Sequence, residues 1–87
     1  MNPVTVYTTD RCGLCVGAKK LLEQHGIEYR EVNLSRDPDG REQLQRLTGM
    51  FTFPQIIIGE RPVGGFKELL QAEREGTLSE LLQGLAA

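Results

Sequence analysis

The first 34 residues alternate in a way that leaves few folds open. Val4-Thr5-Val6-Tyr7-Thr8 is rich in β-branched residues and reads as a buried strand. Thr9, Asp10 and Arg11 make a turn. Leu14, Cys15, Ala18, Leu21 and Leu22 then recur at helical spacing and supply a core face. Lys19, Lys20, Glu23 and Gln24 fall largely on the outer, solvated face, and Gly26 is a natural stop. From Ile27 to Leu34 apolar and charged residues mix, which reads as a half-exposed strand at a sheet edge. Two strands joined by a helix in this way lie parallel, with a right-handed crossover.

The junction between the first strand and the first helix carries Cys12-Gly13-Leu14-Cys15. A helix begins with backbone N–H groups that have no partner inside the helix. Those donors, and the partial positive charge of the helix end, favour a thiolate over a thiol. The thiolate is the species that attacks a disulfide. The second cysteine comes three residues later, on the first turn, close enough to resolve a mixed disulfide. Cys12 is therefore read as the nucleophile and Cys15 as the resolving thiol.

The remainder reads as helix, hairpin, helix. Asp37-Pro38 has the form of an N-cap followed by proline at the first helical position. The helix it opens turns Leu44 and Leu47 inward, carries Arg41, Glu42, Gln45 and Arg46 outward, and ends at Gly49. Phe53-Pro54-Gln55-Ile56-Ile57-Ile58 is the strongest strand signal in the chain. Gly59-Glu60 is a turn, and Arg61-Pro62-Val63-Gly64 a short return strand whose proline suits an edge. Gly64-Gly65 leads into a helix from Phe66 to about Glu75, stopped by Gly76. Thr77 and Glu80 have capping-box spacing for a last short helix to about Gly84. The order is β-α-β-α-β-β-α with a final short helix, an α/β fold with a four-stranded mixed sheet flanked by helices.

Length and charge limit what such a chain does. Eighty-seven residues suit one domain, 1–87, with a modest core. A net charge of −2 with no basic run gives nucleic acid no purchase. No apolar stretch reaches the ~18 residues of a membrane span. The N-terminus, Met-Asn-Pro-Val-Thr, lacks the pattern of a signal peptide. These features lead us to expect the cytoplasm, where a close cysteine pair is better explained by catalysis or metal binding than by a structural disulfide. With two cysteines and one histidine, the chain has no second ligand pair for a zinc site, and no bound metal is expected.

Four features together resemble the glutaredoxin family, of thioredoxin fold, over nearly the whole chain. They are Tyr7-Thr8 ahead of Cys12-x-x-Cys15, then Thr52-Phe53-Pro54 at the place of the family's Thr-Val-Pro, Gly64-Gly65-Phe66 at its Gly-Gly loop, and Glu68-Leu69-Leu70 beyond it. The resemblance implies a thiol–disulfide oxidoreductase serving electron transport and cell redox homeostasis. Its substrates would be protein disulfides or glutathionylated proteins. Glutathione would be its reductant without being tightly bound, and the working form a monomer. It implies that Phe53-Pro54 is a cis bond against the thiols. Thr52, Phe53 and Pro54 would meet the cysteine moiety of glutathione, and the helix opened by Gly64, Gly65, Phe66 and Lys67 its γ-glutamyl end. Tyr7 would edge the same site.

The sequence departs from the family at Thr9, Phe51 and Lys67, where many members have a cation, a cation and a polar or acidic residue respectively. Arg11 or Lys67 would have to supply the missing positive charge. A second reading therefore stays open, that of an NrdH-type redoxin of the same fold, reduced by thioredoxin reductase. Gly13-Leu14 in place of the common Pro-Tyr keeps a third open, an Fe–S cluster carrier acting as a dimer. Several single residues also read two ways. Tyr7 either packs in the core or lines the thiol groove. Arg11 is either a solvated charge or a stabiliser of the Cys12 thiolate, with Asp10 opposing it. Phe51 is either core or an apolar wall for a protein substrate. His25 reads as an exposed helix-end residue.

Overall fold

The computed structural model describes residues 2–84. Four strands form one sheet in the order β2-β1-β3-β4. They are β1 (Val4–Thr8), β2 (Arg30–Asn33), β3 (Gln55–Ile58) and β4 (Arg61–Gly64). Helices α1 (Gly13–Gln24), α2 (Pro38–Thr48), α3 (Phe66–Glu75) and α4 (Thr77–Gln83) fill the connections and the C-terminal part. β1 and β2 are parallel, with Thr5 opposite Arg30 and Thr8 opposite Asn33. β1–β3 and β3–β4 are antiparallel. The expected order and sheet directions are all present, and β2 lies at an edge.

Alternation along β1 divides the core in two. Val4, Val6 and Thr8 are buried toward one face, where Val4 and Val6 join Ala18, Leu21, Leu22, Ile56, Ile58, Leu69, Ala72, Leu78 and Leu82. The other face is smaller: Leu34, Leu44 and Ile57 are buried there, with Tyr7, Val32 and Phe53 packed against them. α1 and α3 thus share the large cluster, and α2 covers the small one.

The punctuation residues act as their chemistry dictates. Asp37 caps α2 by accepting from the Gly40 N–H at 2.9 Å, with Pro38 behind it. Gly49, at φ 75°, ends that helix. Ile27 N–H donates to the Leu22 carbonyl at 2.9 Å, closing the end of α1. That bond explains why β2 begins only at Arg30, three residues later than the alternation suggests. β3 likewise begins at Gln55 rather than Phe53, because Pro54 has no N–H to give to a ladder. At the end of α1, Tyr29 Oη donates to Glu23 at 2.6 Å, which pushes the phenol up to about 12, with burial and the charges of Glu23 and Glu31 adding to the effect.

Four expectations need correction. Leu14 is 59% exposed, because the buried seam of α1 runs through Cys15, Ala18, Leu21 and Leu22, one position off it. Leu47 is 66% exposed, since α2 meets the sheet along a narrow line and only Leu44 is buried on that helix. Thr77 is inside α4, whose N-cap is Gly76, and its hydroxyl donates back to the Ala72 carbonyl at 3.2 Å instead of forming a capping box. Lys19 is an ion-pair partner rather than a plain solvated lysine, as shown below.

These positions make the packing testable. Leu22→Ala removes a fully buried side chain and should destabilise by about 2–5 kcal/mol. Leu47→Ala should change stability by no more than about 0.5 kcal/mol, as surface substitutions do. Urea unfolding of the two variants beside the parent measures both.

Candidate active site

The C-terminal end of β1 delivers the chain to the site, and three residues turn it into α1. Arg11 takes φ +56°, the left-handed region that only glycine enters freely. Its side chain is exposed. Asp10 is tied to the end of β2 and the connection that follows it. Its N–H donates to Ser35 Oγ at 2.6 Å, its carboxylate accepts from Asn33 at 3.0 Å, and Arg36 lies 3.6 Å from it.

Cys12 is the N-cap of α1, in extended conformation at φ −113°, ψ 101°. Its sulfur accepts from the Cys15 N–H at 3.1 Å, in the position where a serine or aspartate oxygen would normally cap. No acidic side chain occupies the first turn. The sulfur therefore meets both an orphan donor and an unopposed helix dipole, worth about 0.3–1 kcal/mol to a negative charge at an exposed end. Cys12 and Cys15 are joined as a disulfide with Cα atoms 5.2 Å apart, so the chain is in its oxidised form. The two sulfurs differ in access: Cys15 is 2% exposed, whereas Cys12 is only half-buried.

The loop before β3 forms the opposite wall. Phe53-Pro54 is a cis peptide bond, as the resemblance implies. The Phe53 carbonyl oxygen lies 3.8 Å from Cys12 Sγ. A disulfide sulfur carries no proton, so this is a contact and not a hydrogen bond. Pro54 is buried, and Thr52 and Phe51 are exposed.

The third wall is the start of α3. Gly64 has φ +125°, and a Cβ there would stand 2.8 Å from Glu68 Cγ. Gly65 is the N-cap, and its N–H donates to Glu68 Oε1 at 2.8 Å. Gly65 also approaches the Pro54 carbonyl closely, at 3.5 Å from where a Cβ would sit. Phe66 packs on α1 beside Gly17, and Lys67 is exposed. The structure thus brings together Cys12, Cys15, Phe53, Pro54 and Gly65. Tyr7 packs in the α2-side cluster, the core alternative for that residue. Phe51 is 75% exposed and is not core; with Leu14 and Val16, 47% exposed, it adds apolar surface beside the cysteine segment and the proline loop.

Two supporting networks were not singled out from sequence. Thr8, buried at the end of β1, donates to Glu31 of β2 at 2.8 Å, and Lys19 of α1 bridges the same carboxylate at 3.1 Å. The Thr8 hydrogen bond, and then Lys19, hold the Glu31 carboxyl below its usual range against the opposing effect of burial. Gln55, 2% exposed, is bonded on both sides of its amide. A glutamine within an isoleucine-rich strand was the available signal for the second network.

A surface-accessible sulfur on a helix N-cap, a buried partner three residues on and a cis-proline wall define a thiol–disulfide oxidoreductase of thioredoxin-like fold. The comparisons narrow that class. The glutaredoxin family model matches residues 4–63. The glutaredoxin of Pseudomonas aeruginosa is 44% identical over 82 residues, which cover 94% of this chain and 98% of that protein. The glutaredoxin of Neisseria meningitidis serogroup A is 40% identical over 83 residues, with the same coverage. The crystal structure of a buckwheat glutaredoxin–glutathione complex superposes with a TM-score of 0.86 at 32% identity, over 97% of this chain and 79% of that one. The solution structure of Brucella melitensis glutaredoxin gives 0.84 at 43% identity, over 94% and 89%. The chain belongs to the glutaredoxin family and carries its redox-active C-x-x-C pair.

The Glu31 network predicts a pH effect. A carboxyl whose folded pKa is lowered contributes stability above its unfolded value, about 4.3, and loses it as pH falls through the folded value. Urea unfolding of the parent should therefore weaken as pH drops from about 5 to 3. Glu31→Gln should be less stable at neutral pH and show a flatter acid limb.

Proposed function

We propose that this protein is a glutathione-linked reductase of protein disulfides and glutathione mixed disulfides, with Cys12 as nucleophile and Cys15 as resolving thiol. The observation that carries the assignment is the unequal exposure of two bonded sulfurs, with the accessible one on the helix cap. In the reduced protein the Cys12 thiolate attacks one sulfur of a substrate disulfide. A Cys12–substrate bond forms, the substrate S–S bond breaks, and the leaving thiolate takes a proton. Cys15, as thiolate, then attacks Cys12 Sγ, releases the second substrate thiol and closes the Cys12–Cys15 disulfide. Two glutathione thiols return two electrons, and glutathione disulfide leaves.

Support for glutathione comes from the complex recorded for the buckwheat relative. In this chain the backbone of Thr52, Phe53 and Pro54 would pair with its cysteinyl unit. The α3 N-terminus at Gly65, Phe66 and Lys67 would receive its γ-glutamyl carboxylate, since helix N-termini favour anions. Gly64 lets the chain enter that turn. Glu68 already takes the Gly65 N–H, so Lys67 and Arg11 are the cations available to offset it. Tyr7 would act on the site only from behind, through the cluster on which Phe53 also packs. We place the working protein in the cytoplasm as a monomer. No helix among the described residues is long and apolar enough to cross a membrane.

Cys12→Ser should abolish reduction of both a protein disulfide and a glutathionylated peptide. Cys15→Ser should keep measurable activity on the glutathionylated peptide, where one thiol suffices, and lose the protein disulfide reaction. NADPH oxidation coupled through glutathione reductase reads each; activity coupled only through thioredoxin reductase would sink the glutathione assignment.

A further inference from the structure

The geometry points to Gln55 as a positioning residue that aims the Phe53 backbone at the substrate. This inference rests on the proposed pairing of that backbone with a glutathionyl or peptide segment. Gln55 follows Pro54 and is 2% exposed, beside Ile56, Ile57 and Ile58. Its Nε2 donates to the carbonyls of Met50, at 3.2 Å, and Thr52, at 3.0 Å. Its Oε1 accepts from Thr48 Oγ1 at 2.8 Å, at the end of α2, where the hydroxyl proton is shared with the Leu44 carbonyl at 3.0 Å. The amide has only one satisfactory orientation, because turning it over sets its oxygen against two carbonyl oxygens. Thr48 Oγ1 in turn accepts the Met50 N–H at 3.1 Å, so the loop leaving α2 is tied at both 50 and 52.

The consequence follows from peptide planarity. The Thr52 carbonyl and the Phe53 N–H belong to one trans peptide unit and point in opposite directions. Drawing the carbonyl inward to Gln55 turns the Phe53 N–H outward. A residue before proline is held in extended conformation, where its own N–H and C=O face the same side. The Phe53 C=O faces Cys12, 3.8 Å from its sulfur. Gln55 therefore presents the Phe53 N–H and C=O together on the nucleophile's side, as a ready edge for an extended peptide. An apolar residue at 55 would fill the space and leave both loop carbonyls without that donor.

Gln55→Met keeps size and removes the donors; Thr48→Val keeps the shape and removes the hydroxyl, with its contacts to Gln55, Met50 and the Leu44 carbonyl. With reduced glutathione saturating, KM for a glutathionylated peptide should rise roughly fivefold to tenfold in Gln55→Met, the worth of about one hydrogen bond, with kcat within twofold. Thr48→Val should move it the same way by a smaller factor, roughly threefold. Alkylation of reduced Cys12 by iodoacetamide, which needs no backbone pairing, should keep its rate and pH profile in both. Should Gln55→Met fail to fold, Thr48→Val decides. A KM within twofold of the parent in the folded variants overturns the inference. Alkylation falling in step with KM also overturns it, since that signals general loosening of the site. A parent protein that does not turn over the glutathionylated peptide removes the proposed function itself, and this inference with it.

Discussion

The Cys15 N–H and the Cys12 sulfur make a single 3.1 Å contact on which the other features of the site converge. It places a polarisable atom where a helix has donors to spare. It also requires the chain to arrive at α1 from a fixed direction, which β1 and the left-handed Arg11 supply. Cys15 must then lie on the buried seam of α1, and that seam rests on the central strands. Capping by the Cys12 sulfur and packing of the core are consequences of the same helix placement.

The wall facing that sulfur depends on a different kind of interaction. The loop from Met50 to Thr52 has no strand neighbour for its carbonyls, and a buried side-chain amide takes their place. A buried polar group left without partners costs about 1–3 kcal/mol, so an arrangement that satisfies every atom of the amide at once is strongly specified. Among the described residues no buried side-chain nitrogen or oxygen lacks a partner. The site is thus assembled from one helix end and one irregular loop, each held by hydrogen bonds rather than by side-chain packing alone.

Much of this was legible in the sequence because the signals were local. Capping by Asp37-Pro38, the stops at Gly26, Gly49 and Gly76, and the placement of Cys12 at a strand–helix junction each depend on a few neighbouring residues. The errors arose where helical spacing had to choose a face. Leu14 and Leu47 fit the periodicity, yet each lies beyond the line along which its helix touches the sheet. The Thr8–Glu31–Lys19 network escaped because the fold brings its members together: Glu31 is 23 residues from Thr8 and 12 from Lys19. Gln55 has partners only 3 to 7 residues away, but they lie in an irregular loop whose path no periodicity marks. Thr77 and Glu80 had the spacing of a cap, but Gly76, already ending α3, left no room for Thr77 to be one.

The two outer strands carry a further consequence. An unpaired strand presents a row of backbone donors and acceptors that can template growth onto another chain. Here each outer strand is only four residues long. β2 carries Arg30 and Glu31, and β4 carries Arg61 beside a proline, while its pairing with β3 is broken by a register shift at Ile56/Ile57. Both flanks are thereby poor seeds for polymerisation, which matters for a small protein that leaves Leu14, Val16, Leu47 and Phe51 exposed.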